Sequence, residues 1–524
     1  MSRRALHLSA CIGVVVALIG IFYAEEDWRG RRDWNRYRKT KEAQGEPLDF
    51  QSYIPRPVPE DQNFAETEIA QSLLQPDWNA GRSLLPDDLY AHASGNVYPR
   101  KISRLNTSRH FTDLVAWQMA SVALQSGPLT SKQIFETDKM DLAAREMAAP
   151  AVLEGMKPDQ KAFAALRLAS QKPHSRFNVR YDLEDLAQIP IGHLVGIKGL
   201  CLRLDVQVCA ELAAGQTDSA LADSKLLFYL ADSIKTEPFV ISYLVRVACF
   251  QLAVQPVWEG LAERRWTDAQ LQQLQSSLQN YDFLRDLNQS LKSERTFGIQ
   301  EINQFKKQGL GTLDELAGVN DALRLDDIGS KTVHKAMLDF VGRVMPEGWW
   351  DEERWNYCLI FDAQMKGATD LAEKKVFPGQ LGSNYSELTR HLTAYSPPAS
   401  LNSILHHQAI VATEDVPQFL NRLPQKAAAA QTAANQALIA CALERYRLAN
   451  GQFPETLEAL PPQFIFRLPN DVITGQPYKY HPTKDGQFIL YSVGWNEKDD
   501  GGIPGKQGLF DAQEGDWVWE YPVK

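Results

Sequence analysis

The sequence predicts a mainly α protein that carries one apolar helix near its N-terminus and closes on a small α+β domain. Three observations predict it. Residues Ala5 to Ala24, "ALHLSACIGVVVALIGIFYA", run without a charge. From about Leu105 to Gln308, apolar residues recur at helical spacing between glycine, proline and Thr/Asp punctuation. Beyond Pro477 the pattern changes to short alternating runs around Asp485-Gly486, a hairpin signature. The expected organisation is an N-terminal tail and transmembrane anchor (1–24), a basic/aromatic juxtamembrane segment with a Pro-rich linker (25–65), a helical body (66–420) and an α+β domain (421–524).

Ala5–Ala24 is about 20 residues long, enough to span a ~30 Å hydrocarbon core as a helix. Two other readings compete with an uncleaved anchor. Ser2-Arg3-Arg4 with Leu6 resembles a loose twin-arginine export signal, and "LSAC" ending at Cys11 resembles a lipoprotein box. Most of the apolar run follows Cys11, however, and bulky Phe22 stands where ordinary cleavage wants a small residue. An anchor is therefore expected, with the lipid bilayer as partner of residues 5–24.

After it, "WRGRRDWNRYRKTKEAQGE" mixes Trp28, Trp34 and Tyr37 with arginines, which suits either a helix at the headgroup layer or a solvated stalk. "YIPRPVPEDQNFA" then places Pro55, Pro57 and Pro59 close together, an extended and semi-rigid spacer.

The body reads as successive helices. Gly215 is a left-handed cap, Thr217 or Asp218 can cap the next helix, Pro238 opens another, and Thr267-Asp268 a fourth. Paired antiparallel helices suggest an irregular, solenoid-like array, without the fixed period of a named repeat. Residues 239–258 are apolar enough to resemble a span, yet Arg246 at their middle makes insertion costly by ~3 kcal/mol. Arg246 is expected to pair with Glu294 or Glu301. "PEGWWDEERWNY", Pro346 to Tyr357, sets three tryptophans among acids, either lining a groove or plugging a gap between domains. His406-His407 lacks ligand-spaced partners.

Composition narrows function without naming it. The chain has 55 Lys+Arg against 65 Asp+Glu, a net charge of −10, which excludes a general nucleic-acid binder. Cys201 and Cys209 stand roughly 12 Å apart along one helix, too far to bridge, and the six cysteines read as free thiols. Phosphate loops, nucleophile elbows and His-Glu-x-x-His motifs do not occur. The catalytic and cofactor-binding sets are therefore empty.

The tail is the most specific stretch. "AANQALIACALERYRLANG" is an amphipathic helix with Leu438, Ile439, Ala442, Leu443 and Tyr446 on one stripe, ended by Asn450-Gly451. Phe453-Pro454, Leu457 and Leu460, "GQPYKY", "KDGQFILYSVG" and "GWNEKDDGG" follow. This order resembles the head of the major pseudopilin of type II secretion, matched at Tyr446, Asn450, Gly451, Phe453, Pro454, Leu457, Leu460, Gly475, Pro477, Tyr478, Tyr480, Tyr491, Ser492 and Gly494. The likeness covers roughly 90 residues; the tail, from about Ala428, is expected to fold as an independent unit because it has its own caps and hairpin.

The pseudopilin cleavage motif is lacking and the helical body intervenes, so assembly into a pilus is not expected. The family's last loop can hold calcium, which would make Asn496, Asp499 and Asp500 metal ligands, with Asp511 or Asp516 as further candidates; a plain solvated turn is the other reading. The whole chain also resembles membrane-anchored exported proteins of planctomycete and verrucomicrobial bacteria, which implies a location and no activity.

Sidedness draws opposing signals. Arg3 and Arg4 precede the anchor, while Arg29, Arg31, Arg32, Arg36, Arg38, Lys39 and Lys41 follow it, which favours a cytoplasmic body. The export-like start and the pseudopilin-like tail favour the outside. The expectation is a single-pass inner-membrane protein with a periplasmic body. Its expected function is an interaction or scaffold protein with an envelope protein partner. The alternatives are an accessory part of a type II secretion or pilus-like apparatus, or an enzyme with a site in the helical body.

Overall fold

The computed structural model describes residues 3–74, 109–119, 142–181, 189–309, 339–340, 342–394 and 415–521. The chain is mainly helical. Helix α1 (Arg3–Ala43) leads into short turns between Phe50 and Leu74, followed by α2 (Leu142–Gly155), α3 (Gln160–Ala169), α4 (Gly192–Ala213), α5 (Thr217–Asp232), α6 (Val240–Ala262), α7 (Asp268–Leu278) and α8 (Phe283–Gln308). Then come α9 (Glu347–Met365), a ribbon of β1 (Thr369–Asp370) and β2 (Lys375–Val376), α10 (Pro378–Ala394) and α11 (Asp415–Asn450). A sheet of β3 (Lys479–Pro482), β4 (Phe488–Ser492) and β5 (Trp517–Trp519) completes the chain in the order β3-β4-β5. His406-His407 lies outside the described residues.

Local chemistry sets several boundaries as expected. Thr267 accepts the N–H of Gln270 at 3.3 Å while Gln270 accepts that of Thr267 at 3.0 Å, a complete capping box at the start of α7. Gly215 and Gly451 end α4 and α11 with φ of +76° and +83°. The start of α5 differs from expectation. Gln216 is its N-cap and makes no side-chain cap bond, while Asp218 instead accepts Gln270 Nε2 at 2.8 Å and ties α5 to α7. The β3–β4 hairpin pairs Lys479 with Tyr491 and Pro482 with Phe488, turning at Gly486 with φ +74°.

Helix α6 is, among the described residues, long and apolar enough by length and composition to cross a membrane. It packs instead against α4, α5, α8 and α11, with Cys249, Phe250, Val254, Val257 and Trp258 in the core. Its Arg246 is buried as expected, but its partners are different acids. Nε reaches Asp232 Oδ1 at 2.9 Å and Nη1 reaches Asp286 Oδ2 at 2.7 Å, with the guanidinium stacked over Tyr281 and Phe283. Glu294 has another task, accepting the N–H of Val240 at 3.2 Å where α6 begins. Asp232 lies just across the α5–α6 turn, so a short closure brings it to Arg246.

Two expectations about domains change. The Pro-rich segment is strapped to the body at both ends, because Phe50 and Phe64 are buried in the main core and Asn63 exchanges bonds with the backbone of Arg176 at 2.9 and 2.8 Å. A free spacer would leave these side chains exposed. The boundary at 421 also has no counterpart in the packing. Helix α11 touches α6, α7, α8, α9 and α10, whereas helices of a solenoid touch only neighbouring repeats. Its buried alanines, from Ala427 to Ala442, let the surrounding helices approach closely. One continuous core therefore runs from Phe50 to Trp519. Gln436 Nε2 bonds Trp517 O at 2.7 Å and Trp258 Nε1 bonds Glu520 O at 2.9 Å, joining the sheet to α11 and α6.

Candidate functional site

Two surfaces carry the functional argument, the first being helix α1. From Ile12 to Ile21 its large apolar side chains are 53–66% exposed. Below Tyr23 the same helix turns polar and docks on α9. Gly30 and Gly348 make the close approach possible. A Cβ on Gly30 would collide with the Gly348 carbonyl, and one on Gly348 with the backbone of Glu26 and Asp27.

Around this crossing Glu26, fully buried, is held by Arg29 and by Trp349 Nε1 at 2.7 Å, and Arg29 also reaches Glu352 at 3.2 Å. Burial pushes the Glu352 carboxyl up to about 7, with Arg29 opposing and Glu26 adding to the rise. Lower on the helix, Asp362 accepts from Tyr37 and from Lys41, both at 2.9 Å, and from Arg295 at 3.0 Å. The basic/aromatic segment is thus docked on the body and is not a free stalk. The three tryptophans serve this joint: Trp349 meets α1, Trp350 packs on Ile302 and Phe305 of α8, and Trp355 packs beside Trp34.

The second surface is an open groove of about 650 Å³ between α7, α11 and the loop 462–470. Its lining is rich in amides, including Gln272 and Gln275 of α7, Gln279 that caps it, and Gln431 and Asn435 of α11. The floor is rigid. Gln275 donates to Phe464 O at 3.0 Å, Arg445 bonds Gln275 Oε1 at 2.9 Å, and Gln431 accepts the N–H of Phe283 at 2.8 Å. Phe466, 92% exposed, stands at the rim beside Arg467. Sequence reasoning missed this groove because its residues come from three distant stretches; the repeated glutamines of "AQLQQLQSSLQ" were the available signal.

The residues proposed for calcium share one loop but divide between two networks. Asn496 Nδ2 donates to Asp500 Oδ2 at 3.1 Å. Asp499 turns to the hairpin, accepting the hydroxyl of Tyr491 and the N–H of Gly501, each at 3.1 Å. Asp516 accepts the N–H groups of Asp500 and Gly502, and Asp511 those of Gln507 and Gln513. Among the described residues, no group of three or more His, Cys, Asp or Glu is gathered for a metal.

Buried polar clusters inside the body bear on catalysis. His193 Nε2 lies 2.6 Å from Glu237 Oε1, and Ser242 donates to the other oxygen of the same carboxylate. Serine and histidine each meet the glutamate, with no serine–histidine bond between them, so this is not the relay that activates a nucleophile. A second cluster joins Gln207 to Glu211 at 3.1 Å and to Asp223 at 2.8 Å, with Arg167 forked onto Asp223.

Burial, with Asp223 adding to it, pushes the Glu211 carboxyl up to about 8. The folded chain then keeps a proton that the unfolded chain loses above about pH 4.3, so stability falls as pH rises from there to about 8. Glu211→Gln is expected to match wild type near pH 4 and to exceed it at pH 8 by on the order of 2–4 kcal/mol, read from denaturant midpoints at both pH values.

Compared with known proteins, the chain matches no family model, no curated protein and no solved structure.

Proposed function

We propose that this protein is a membrane-tethered interaction protein of the bacterial envelope. The observation that carries the proposal is the division of α1 into an exposed apolar half and a polar half keyed into the body through Gly30 and Gly348. Seven large apolar side chains between Ile12 and Ile21 exposed to water would be costly, whereas in a bilayer they are matched to their surroundings. Because the helix continues without a break into its dock, the tether would hold the body at a fixed angle to the membrane.

The groove supplies the interaction. The exposed amides of Gln272 and Gln279 both donate and accept, and so do the N–H and C=O groups of an extended polypeptide, while Phe466 offers an apolar contact at the rim. An exported body fits the tail's likeness to a pseudopilin head. A photo-crosslinking residue in place of Phe466, activated in native membranes, is expected to yield a discrete adduct with an envelope protein. The same residue in place of Gln272 is expected to give the same adduct. Absence of an adduct at both positions would remove the groove from this account.

A further inference from the structure

We infer that the segment Asp339–Val344 (Val341 excepted), with the C-terminal end of α8, forms a second membrane contact that lies on the lipid headgroup layer beside α1. The inference rests on the reading of α1 as the anchor. Two contacts set its height. The Tyr23 hydroxyl bonds the carbonyl of Val344, and the rings of Phe22 and Trp349 meet edge to face at 6.3 Å. Phe22 and Tyr23 are the last large apolar residues before Glu25-Glu26-Asp27. They mark the level at which a spanning helix leaves the hydrocarbon for the headgroups.

Beside that level the segment exposes Phe340 at 64% and Val344 at 42%. The cations near them are Arg343 in the segment and Lys306 and Lys307 in the last turn of α8, all exposed. Lys306 pairs with Glu347, and Asp339 sits against Gly309 at the end of α8, which keeps the segment and the helix end on one edge. Apolar side chains framed by Lys and Arg are the composition of an interfacial contact, in which rings enter the acyl boundary and cations meet anionic headgroups. Continuity with the apolar half of α1 selects a bilayer surface as the occupant. A protein partner at this height would itself have to lie in the headgroup layer.

The test uses the full-length chain in vesicles of phosphatidylethanolamine and phosphatidylglycerol. A Cys11→Ser background removes the exposed thiol and leaves five buried ones. An environment-sensitive fluorophore is attached at Phe340→Cys, Val344→Cys, Leu18→Cys or Ile503→Cys in turn. Ile503 is an exposed residue of the long loop before β5. Nitroxide lipids labelled near the headgroup are expected to quench at positions 340 and 344 roughly 3-fold more than at 503, while mid-chain nitroxides quench at 18. Quenching at 18 with positions 340 and 344 no different from 503 would overturn the second contact and leave the anchor standing. No quenching at 18 would overturn the anchor and this inference with it.

Discussion

A chain ending at Leu420, lacking most of α11 and the whole C-terminal sheet, is expected to lose its cooperative thermal transition. Helix α11 is the element around which α6, α7, α8, α9 and α10 meet, and removing it would open a face of each. Leu423, Ile439 and Leu443 leave the core with it, and Trp258 loses both its cover and the Glu520 carbonyl that accepts its indole N–H. Each fully buried large apolar side chain is worth about 1.5–3 kcal/mol, so losing only several exceeds a typical domain stability of about 5–15 kcal/mol. The buried start of α8 would also lose the Gln431 oxygen that accepts the N–H of Phe283. Calorimetry of the truncated chain checks this. A sharp transition in it, together with one in the fragment 421–524, would restore two separate domains.

The second large effect is expected at Arg145. This side chain is 1% exposed and joins four parts of the body. It pairs with Glu259 and Glu263 of α6, donates to the Cys209 carbonyl of α4 at 3.2 Å, and reaches the Thr112 carbonyl at 3.4 Å. Glu259, fully buried, also accepts the N–H and the hydroxyl of Thr112, both at 2.7 Å. Arg145→Ala would leave that carboxylate without its cation, a loss of about 3–5 kcal/mol. Glu259→Gln in the same background should recover part of it, because the buried charge is then gone. Urea midpoints of the two variants measure both changes. A midpoint for Arg145→Ala equal to wild type would contradict the network.

These two sites differ in how they appear in the sequence. Arg246 was visible as an anomaly because it interrupts an apolar run, although its partners were not, since Asp232 ends α5 and Asp286 lies on α8, two helices further on. Arg145 gave no signal, standing among alanines in an unremarkable helix, with partners 33 to 118 residues away. Local chemistry was legible at several boundaries: the Thr267-Asp268 helix start, the Gly451 cap and the Asp485-Gly486 hairpin follow from residues within a few positions, whereas the cap expected for α5 did not form.

Strand β5 was not legible, because Trp517-Val518-Trp519 pairs with β4 across a long loop and non-local pairing leaves no local mark. Helix α11 is legible as a helix, whereas its packing against five other helices is not. Alanine favours helix whether one face or every face is buried, so composition did not distinguish the two. The crossing of α1 on α9 had a faint signal in Gly30 and Gly348, which mean little until the helices are brought together.

In the proposed reading residues 5–24 hold the protein in a bilayer, and the body folds without the exposed apolar stretch that ends at Ile21. Membranes bearing the full-length chain should be washed with alkaline carbonate and floated on a density gradient, beside a variant lacking residues 5–21, which keeps the contacts of Phe22 and Tyr23 with the body. The account predicts that the full-length chain floats with the lipid, and that the variant stays in the soluble fraction with an unchanged melting temperature. A full-length chain left at the bottom of the gradient, or a variant that still floats, would contradict it.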